Sequence, residues 1–195
     1  TGYYPLTLGY RAAFGEKNQE LYVNGTRIKE LVFPENIDFT SIDAGIINLN
    51  SGDNTIEIRK SYGYMDLDYF SIGEKVESKD NEAEDAIITD ATISNESTGF
   101  SGTGYVVFEA TGSVTTTAEV TTAGNYVLAL GYRAAFGEKT QDLYINDSFV
   151  KNIIFPESIE FTSIEVGLVQ LNAGANTIEI RANFGYMDLD YFSVG

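Results

Sequence analysis

The 195-residue chain contains no cysteine, no histidine and no tryptophan, and the first two absences each remove a class of chemistry. Without cysteine there is no disulfide, no thiol nucleophile and no Cys-ligated zinc. Without histidine there is no Ser-His-Asp or Cys-His catalysis, no imidazole metal ligand and no imidazole titrating near neutral pH. Positive charge is scarce, with 12 Lys and Arg against 29 Asp and Glu, a formal −17. Such a chain repels nucleic-acid phosphates and anionic membrane surfaces, so neither is an expected partner. No apolar run approaches the roughly 18 residues that a membrane-spanning helix requires. What is present is enough to build a core: 43% of residues are hydrophobic and 13% aromatic, which excludes a disordered chain.

The chain repeats itself. LGYRAAFGEKNQELYVNG, beginning at Leu8, returns as LGYRAAFGEKTQDLYIND, beginning at Leu130, and residues 1–73 align without a gap onto 123–195, with 46 of 73 positions identical. The offset defines a repeat of 122 residues, and 195 − 122 leaves 73 residues beyond one full unit. Residues 1–73 are therefore read as the C-terminal part of a first repeat whose N-terminal part is missing. Residues 74–81 (EKVESKDN) read as a polar linker, and 82–195 as a complete domain. The block 74–122 carries 2 basic and 10 acidic residues and is the only copy of its kind.

All the periodic segments are strand-like. YVLALGY (126–132) and VGLVQLN (166–172) are short runs rich in aliphatic and aromatic residues, and NTIEIRA (176–182) alternates apolar and polar. Asn24-Gly25 and Asn146-Asp147 each sit between two such runs, and these residues tolerate the positive φ that tight type I′ hairpins demand. NSGDN (50–54) and NAGAN (172–176) mark a second turn. Short strands with a turn every 8–12 residues and no amphipathic helix predict an all-β fold, a β-sandwich of jelly-roll type.

Two groups of residues carry candidate chemistry. Glu82 and Glu84 are two apart, so on a strand they share a face; carboxylate oxygens so placed suit a hard cation such as Ca²⁺, or they simply solubilise an edge strand. Phe136, with Glu138, Lys139 and Gln141 beside it, offers an aromatic face and polar groups together, the combination a sugar ring requires. Asn183, Phe184 and Tyr186 offer it again, and the first repeat has Phe14, Glu16, Lys17, Gln19, Ser61, Tyr62 and Tyr64 at the same places. The alternative for these rings is packing within core or loops. Asp188 with Asp190, and Asp66 with Asp68, are too close along one strand to flank a glycosidic bond as an acid–base pair, so catalysis is not expected.

The order of segments resembles carbohydrate-binding module family 35. The resemblance rests on the E-A-E at 82–84, then GFSGTGYV, AGNYVLALGYR, LYIND, AGANTIEI and the closing GYMDLDYF. YRAAFGEKTQDLYIND, FPESIEFTSIEVG and FGYMDLDYF are similar to members attached to β-mannanases. The resemblance implies a non-catalytic, calcium-bearing sandwich that is secreted and tethers an enzyme to a polysaccharide of β-mannan type. It assigns Glu82, Glu84, the backbone carbonyl near Ser101 and Asp190 as Ca²⁺ ligands. It assigns the loops bearing Phe136 and Phe184 to the sugar. Mannan-binding members often carry Trp where Phe184 and Tyr62 stand here, and a smaller ring implies weaker binding or another glycan. The competing reading is a structural repeat of an extracellular fibre, surface layer or adhesin. In either case the unpartnered 1–73 block is expected to rest on a neighbouring copy or on a continuation of a longer array.

Overall fold

The computed structural model describes all 195 residues and divides them into two units, Thr1–Val76 and Glu77–Gly195. Both are built from antiparallel strands, and the sole helical element is a 3₁₀ turn at Ala83–Asp85. No helix is long and apolar enough to cross a membrane.

The first unit contains β1 (Gly2–Ala12), β2 (Lys17–Val23), β3 (Thr26–Phe33), β4 (Asn36–Leu49), β5 (Ile56–Tyr62) and β6 (Asp66–Ile72). They form two three-stranded sheets, in the orders β4-β1-β6 and β3-β2-β5. Alternating inward residues Leu6, Leu8 and Tyr10 of one sheet and Leu21 and Val23 of the other make its core, joined by Leu31, Phe33 and Ile47.

The second unit contains β7 (Lys79–Glu82), β8 (Ile87–Thr89), β9 (Thr92–Ser94), β10 (Tyr105–Phe108), β11 (Ser113–Val120), β12 (Gly124–Ala134), β13 (Lys139–Ile145), β14 (Ser148–Phe155), β15 (Ser158–Leu171), β16 (Gly174–Phe184) and β17 (Met187–Val194). One sheet runs β15-β12-β17-β10-β9, with β7 also pairing β17; the other runs β14-β13-β16-β11-β8. Together they form a β-sandwich closed over a core that includes Val106, Phe108, Val114, Leu130, Ile178, Ile180, Leu189 and Phe192.

Of the segment 74–81 read as a linker, residues 74–78 lie outside any strand and only the last three differ from that reading. The boundary between units falls after Val76, and Lys79, Asp80 and Asn81 are the opening of β7, hydrogen-bonded in register to Val194, Ser193 and Phe192. Their polarity is that of an edge strand, which faces water along one side.

The turns follow their residues. Asn24 and Asn146 have φ of 50°, with Gly25 at 78° and Asp147 at 62°, so both two-residue hairpins adopt positive φ at both central positions. The NAGAN turn is organised by Asn176, which is buried. Its amide donates to the carbonyls of Asn172 and Gly174, and its Oδ1 accepts from the backbone N–H of Asn172 and from Asn146 Nδ2. One asparagine thus ties two turns together.

Candidate functional site

The loop after β12 and the turn between β16 and β17 each present an aromatic ring to solvent. Phe136 is 95% exposed and Phe184 67%, with Tyr186 equally open. Burying none of that apolar area costs stabilisation, so the rings are held out by something else. The something is β13, whose alternate residues point inward and put Lys139 and Gln141 beneath the two loops. Lys139 Nζ donates to the carbonyl oxygens of Phe136 (2.8 Å) and Gly137 (2.6 Å). Gln141, fully buried, donates from Nε2 to Gly185 O (3.0 Å) and accepts from Asn183 N (2.7 Å) at Oε1. These bonds satisfy carbonyls that would otherwise be stranded, and they fix both loops from below.

Lys139 and Gln141 therefore hold the site and do not line it, unlike the sequence reading, which offered them to a ligand. Glu138 is exposed beside Phe136. Asn183 is exposed too, but its amide donates to Asp142 Oδ1 (2.7 Å), an oxygen that also accepts from Asn152 Nδ2 (2.6 Å). Asp142 was not singled out from the sequence; its alternation with Gln141 on β13 is the one signal that points to it.

The first unit repeats the device. Phe14, Tyr62 and Tyr64 are exposed, Lys17 is buried and donates to Phe14 O (2.8 Å) and Gly15 O (2.5 Å), and Gln19 Oε1 accepts from Ser61 N (3.0 Å). Lys60 Nζ stands 4.0 Å from the centre of the Tyr64 ring, a cation–π contact with no counterpart at Ala182.

The carboxylates gather elsewhere in the second unit, around residues 101–104. Glu82 ends β7 and Glu84 lies in the 3₁₀ turn, so they are not on one strand face. Ser101 donates from its N–H to both oxygens of Asp190 (3.0 and 3.2 Å) and from its hydroxyl to Glu82 Oε2 (2.6 Å). Ser101 thus meets Glu82 and Asp190 through its donors. Glu84 Oε1 accepts from the N–H groups of Thr103 (2.6 Å) and Gly104 (2.9 Å), while its Oε2 is buried with no hydrogen-bond partner. Burial pushes the Asp190 carboxyl up to about 6 against the lowering effect of Ser101, and the charges of Glu82 and Glu84 add to the rise. The three carboxylates share one loop but do not close on one point as a metal cluster. Hard oxygen donors, like-charge crowding and an orphaned buried oxygen are nonetheless the chemistry a divalent cation satisfies.

Gly102 completes this corner. Its φ is +63°, and a Cβ there would lie 2.4 Å from Glu84 Oε1 and 2.9 Å from Glu82 Cδ. No side chain fits without displacing both carboxylates. The sequence carried the signal in GFSGTGYV but not its reason.

Asp188 has a different role from Asp190. Arg133 reaches its Oδ2 from Nε and Nη2, each at 2.6 Å, and donates from Nη1 to Ser97 Oγ (2.5 Å). The two aspartates are committed to separate partners.

Comparison with known proteins decides the family. The model of carbohydrate-binding module family 35 matches residues 1–74 and again 79–195. The chain belongs to carbohydrate-binding module family 35. The module is 42% identical over 115 residues to mannan endo-1,4-β-mannosidase A of a Piromyces species, covering 58% of this chain and 19% of that enzyme. It thus spans about a fifth of the length of the curated relatives it matches first. Among solved structures, the Podospora anserina GH26-CBM35 β-(1,4)-mannanase superposes with a TM-score of 0.58 at 35% identity, over 60% of this chain and 27% of that one. A family 35 module from Clostridium thermocellum gives 0.57 at 23% identity, over 61% of this chain and 98% of that one, which speaks to the shared fold. Family 35 is a family of binding modules.

Proposed function

We propose that this chain binds a β-mannan-type polysaccharide outside the cell, through Phe136, Phe184 and Tyr186 of the second unit and Phe14, Tyr62 and Tyr64 of the first. The observation that carries the reading is the pair of exposed rings on loops braced by a buried Lys139 and a buried Gln141. Rings held open at the cost of their burial are suited to stack on the C–H face of a pyranose, with Glu138 beside them for hydroxyls. Relatives named as mannan-cleaving enzymes support mannan as the glycan. A shallow platform buries little area, so affinity is modest, about micromolar to millimolar. We further propose that Ca²⁺ stabilises the second unit, with Glu82, Glu84 and Asp190 supplying oxygens; the orphaned Glu84 Oε2 supports this.

Affinity electrophoresis in gels containing soluble mannan, with galactan and xylan gels as controls, tests the glycan. Retardation in mannan alone is expected. Equal mobility in all gels, or retardation unaffected by Phe14→Ala, Phe136→Ala and Phe184→Ala combined, overturns the reading.

A further inference from the structure

The two units share most of their exposed rings but not the polar groups beside them. Phe14 and Phe136, Glu16 and Glu138, and Tyr64 and Tyr186 match in kind. Three other positions change together: Glu20, Glu30 and Ser61 of the first unit stand where the second has Asp142, Asn152 and Asn183.

In the second unit those three residues form one network. Asn183 is the extra residue of a β-bulge, because Thr140 pairs with Phe184 and Gln141 with Ala182. Its backbone N–H goes to Gln141 Oε1, and its side-chain Nδ2 donates to Asp142 Oδ1 at 2.7 Å. A carboxylate only accepts, so Asp142 dictates that the carboxamide turns its nitrogen inward to the strand. Asn183 Oδ1 is left pointing elsewhere, an acceptor held in one orientation next to the exposed Phe184 ring. Asn152 donates to the same Asp142 oxygen (2.6 Å) and keeps that carboxylate in place.

The first unit dismantles the network at each member. Glu20 is drawn to Arg27 Nε (2.9 Å) and the Tyr22 hydroxyl (3.1 Å), and Arg27 is replaced in the second unit by the uncharged Phe149. Glu30 accepts from Asn18 Nδ2 (2.9 Å). Ser61 offers a rotatable hydroxyl, donor and acceptor at once, where Asn183 offers a fixed acceptor.

We propose that Asp142 is a positioning residue that makes the second unit selective for sugars with an unblocked hydroxyl beside Phe184, a selectivity the first unit lacks. The inference rests on the sugar-binding reading above. A fixed acceptor gains a hydrogen bond from a free hydroxyl. An O-acetylated position has no proton to give and leaves that acceptor unpaired. A serine hydroxyl adapts, donating to the ester oxygen instead. The second unit therefore favours deacetylated chains, while the first holds acetylated and free ones alike.

Heteronuclear NMR titration of the full chain reads both sites at once, through the amides of residues 183–185 and 61–63. The probes are mannohexaose and the same oligosaccharide O-acetylated at its secondary hydroxyls. The second unit should bind the free form about three- to tenfold more tightly than the acetylated one, and the first unit should bind the two about equally. Asp142→Ala should bring the second unit's ratio down to that of the first, and Asp142→Asn, which keeps an acceptor oxygen for Asn183, should preserve it. An Asp142 that served stability alone would weaken both probes alike and leave the ratio unmoved. Equal ratios in the two units, or a ratio unchanged in Asp142→Ala, overturn this proposal and leave the sugar-binding reading standing. If mannohexaose shifts neither set of amides, that reading falls and this one with it.

Discussion

The aliphatic stem of Lys139 passes directly under Gly185, close enough that a Cβ on the glycine would lie 2.3 Å from the lysine Cδ. Gly185 also has a φ of +82°, so any side chain there is strained as well as obstructed. Because Lys139 holds the Phe136 loop and Gly185 belongs to the Phe184 turn, this contact couples the two aromatic loops. Gly185→Ala should therefore cost about 1–3 kcal/mol of stability in the second unit. It should also weaken retention on mannan, though it removes no group that faces the sugar. Denaturant titration and affinity electrophoresis of the one variant check both effects.

Identical residues should differ in worth between the two units. Phe192→Ala empties a closed core and should cost about 3–5 kcal/mol. Phe70→Ala, at the matching position, should cost less than about 1 kcal/mol, because its ring is already half in water. Differential scanning calorimetry of the two variants measures the asymmetry.

The Arg133–Asp188 pair is more enclosed than its repeat, Arg11–Asp66, with side-chain exposures of 25% and 12% against 44% and 54%. Arg133→Met leaves a buried carboxylate without its cation and should cost about 3 kcal/mol at neutral pH. Burial already raises the Asp188 pKa, with Arg133 opposing the rise. Without Arg133 it rises further, so the protonated, neutral form is reached sooner as pH falls. The deficit relative to the parent should accordingly shrink towards pH 4 and be largest above neutrality. Arg11→Met should cost no more than about 1 kcal/mol at any pH. Urea denaturation at pH 4 and pH 7.5 distinguishes these outcomes.

If Ca²⁺ binds at Glu82, Glu84 and Asp190, calcium at a hundredfold excess over its dissociation constant adds about 2.7 kcal/mol to the second unit. Chelator should lower that unit's melting temperature, and Glu84→Ala should remove the response. A melting curve identical with and without chelator would sink the calcium assignment.

The sandwich was legible in the sequence because its signals are local. Asn-Gly and Asn-Asp fix the hairpins through positive φ, and period-two runs such as NTIEIRA fix the faces. The repeat of residues 1–73 in 123–195 was legible as well, and β1–β6 match β12–β17 in order and register. The site was legible only in part. Phe136 and Phe184 were found as aromatic candidates, but a buried lysine and glutamine look the same in a sequence as exposed ones beside a ligand. Only the strand register that turns Lys139 and Gln141 inward separates bracing from binding. The carboxylate corner shows the same limit. Glu82 and Glu84 invite strand alternation, whereas the 3₁₀ turn at Ala83–Asp85 sends one towards Ser101 and the other towards Thr103.

The burial of Lys17 and Lys139 also sets how the protein reacts with amine-directed reagents. Lys60, Lys75, Lys79 and Lys151 are exposed, while the two loop-bracing lysines are screened from solvent by the loops they hold. Acylating reagents or an aldehyde support should therefore modify the former and spare the latter, so that a chain coupled to beads through its amines keeps the bracing of both aromatic loops.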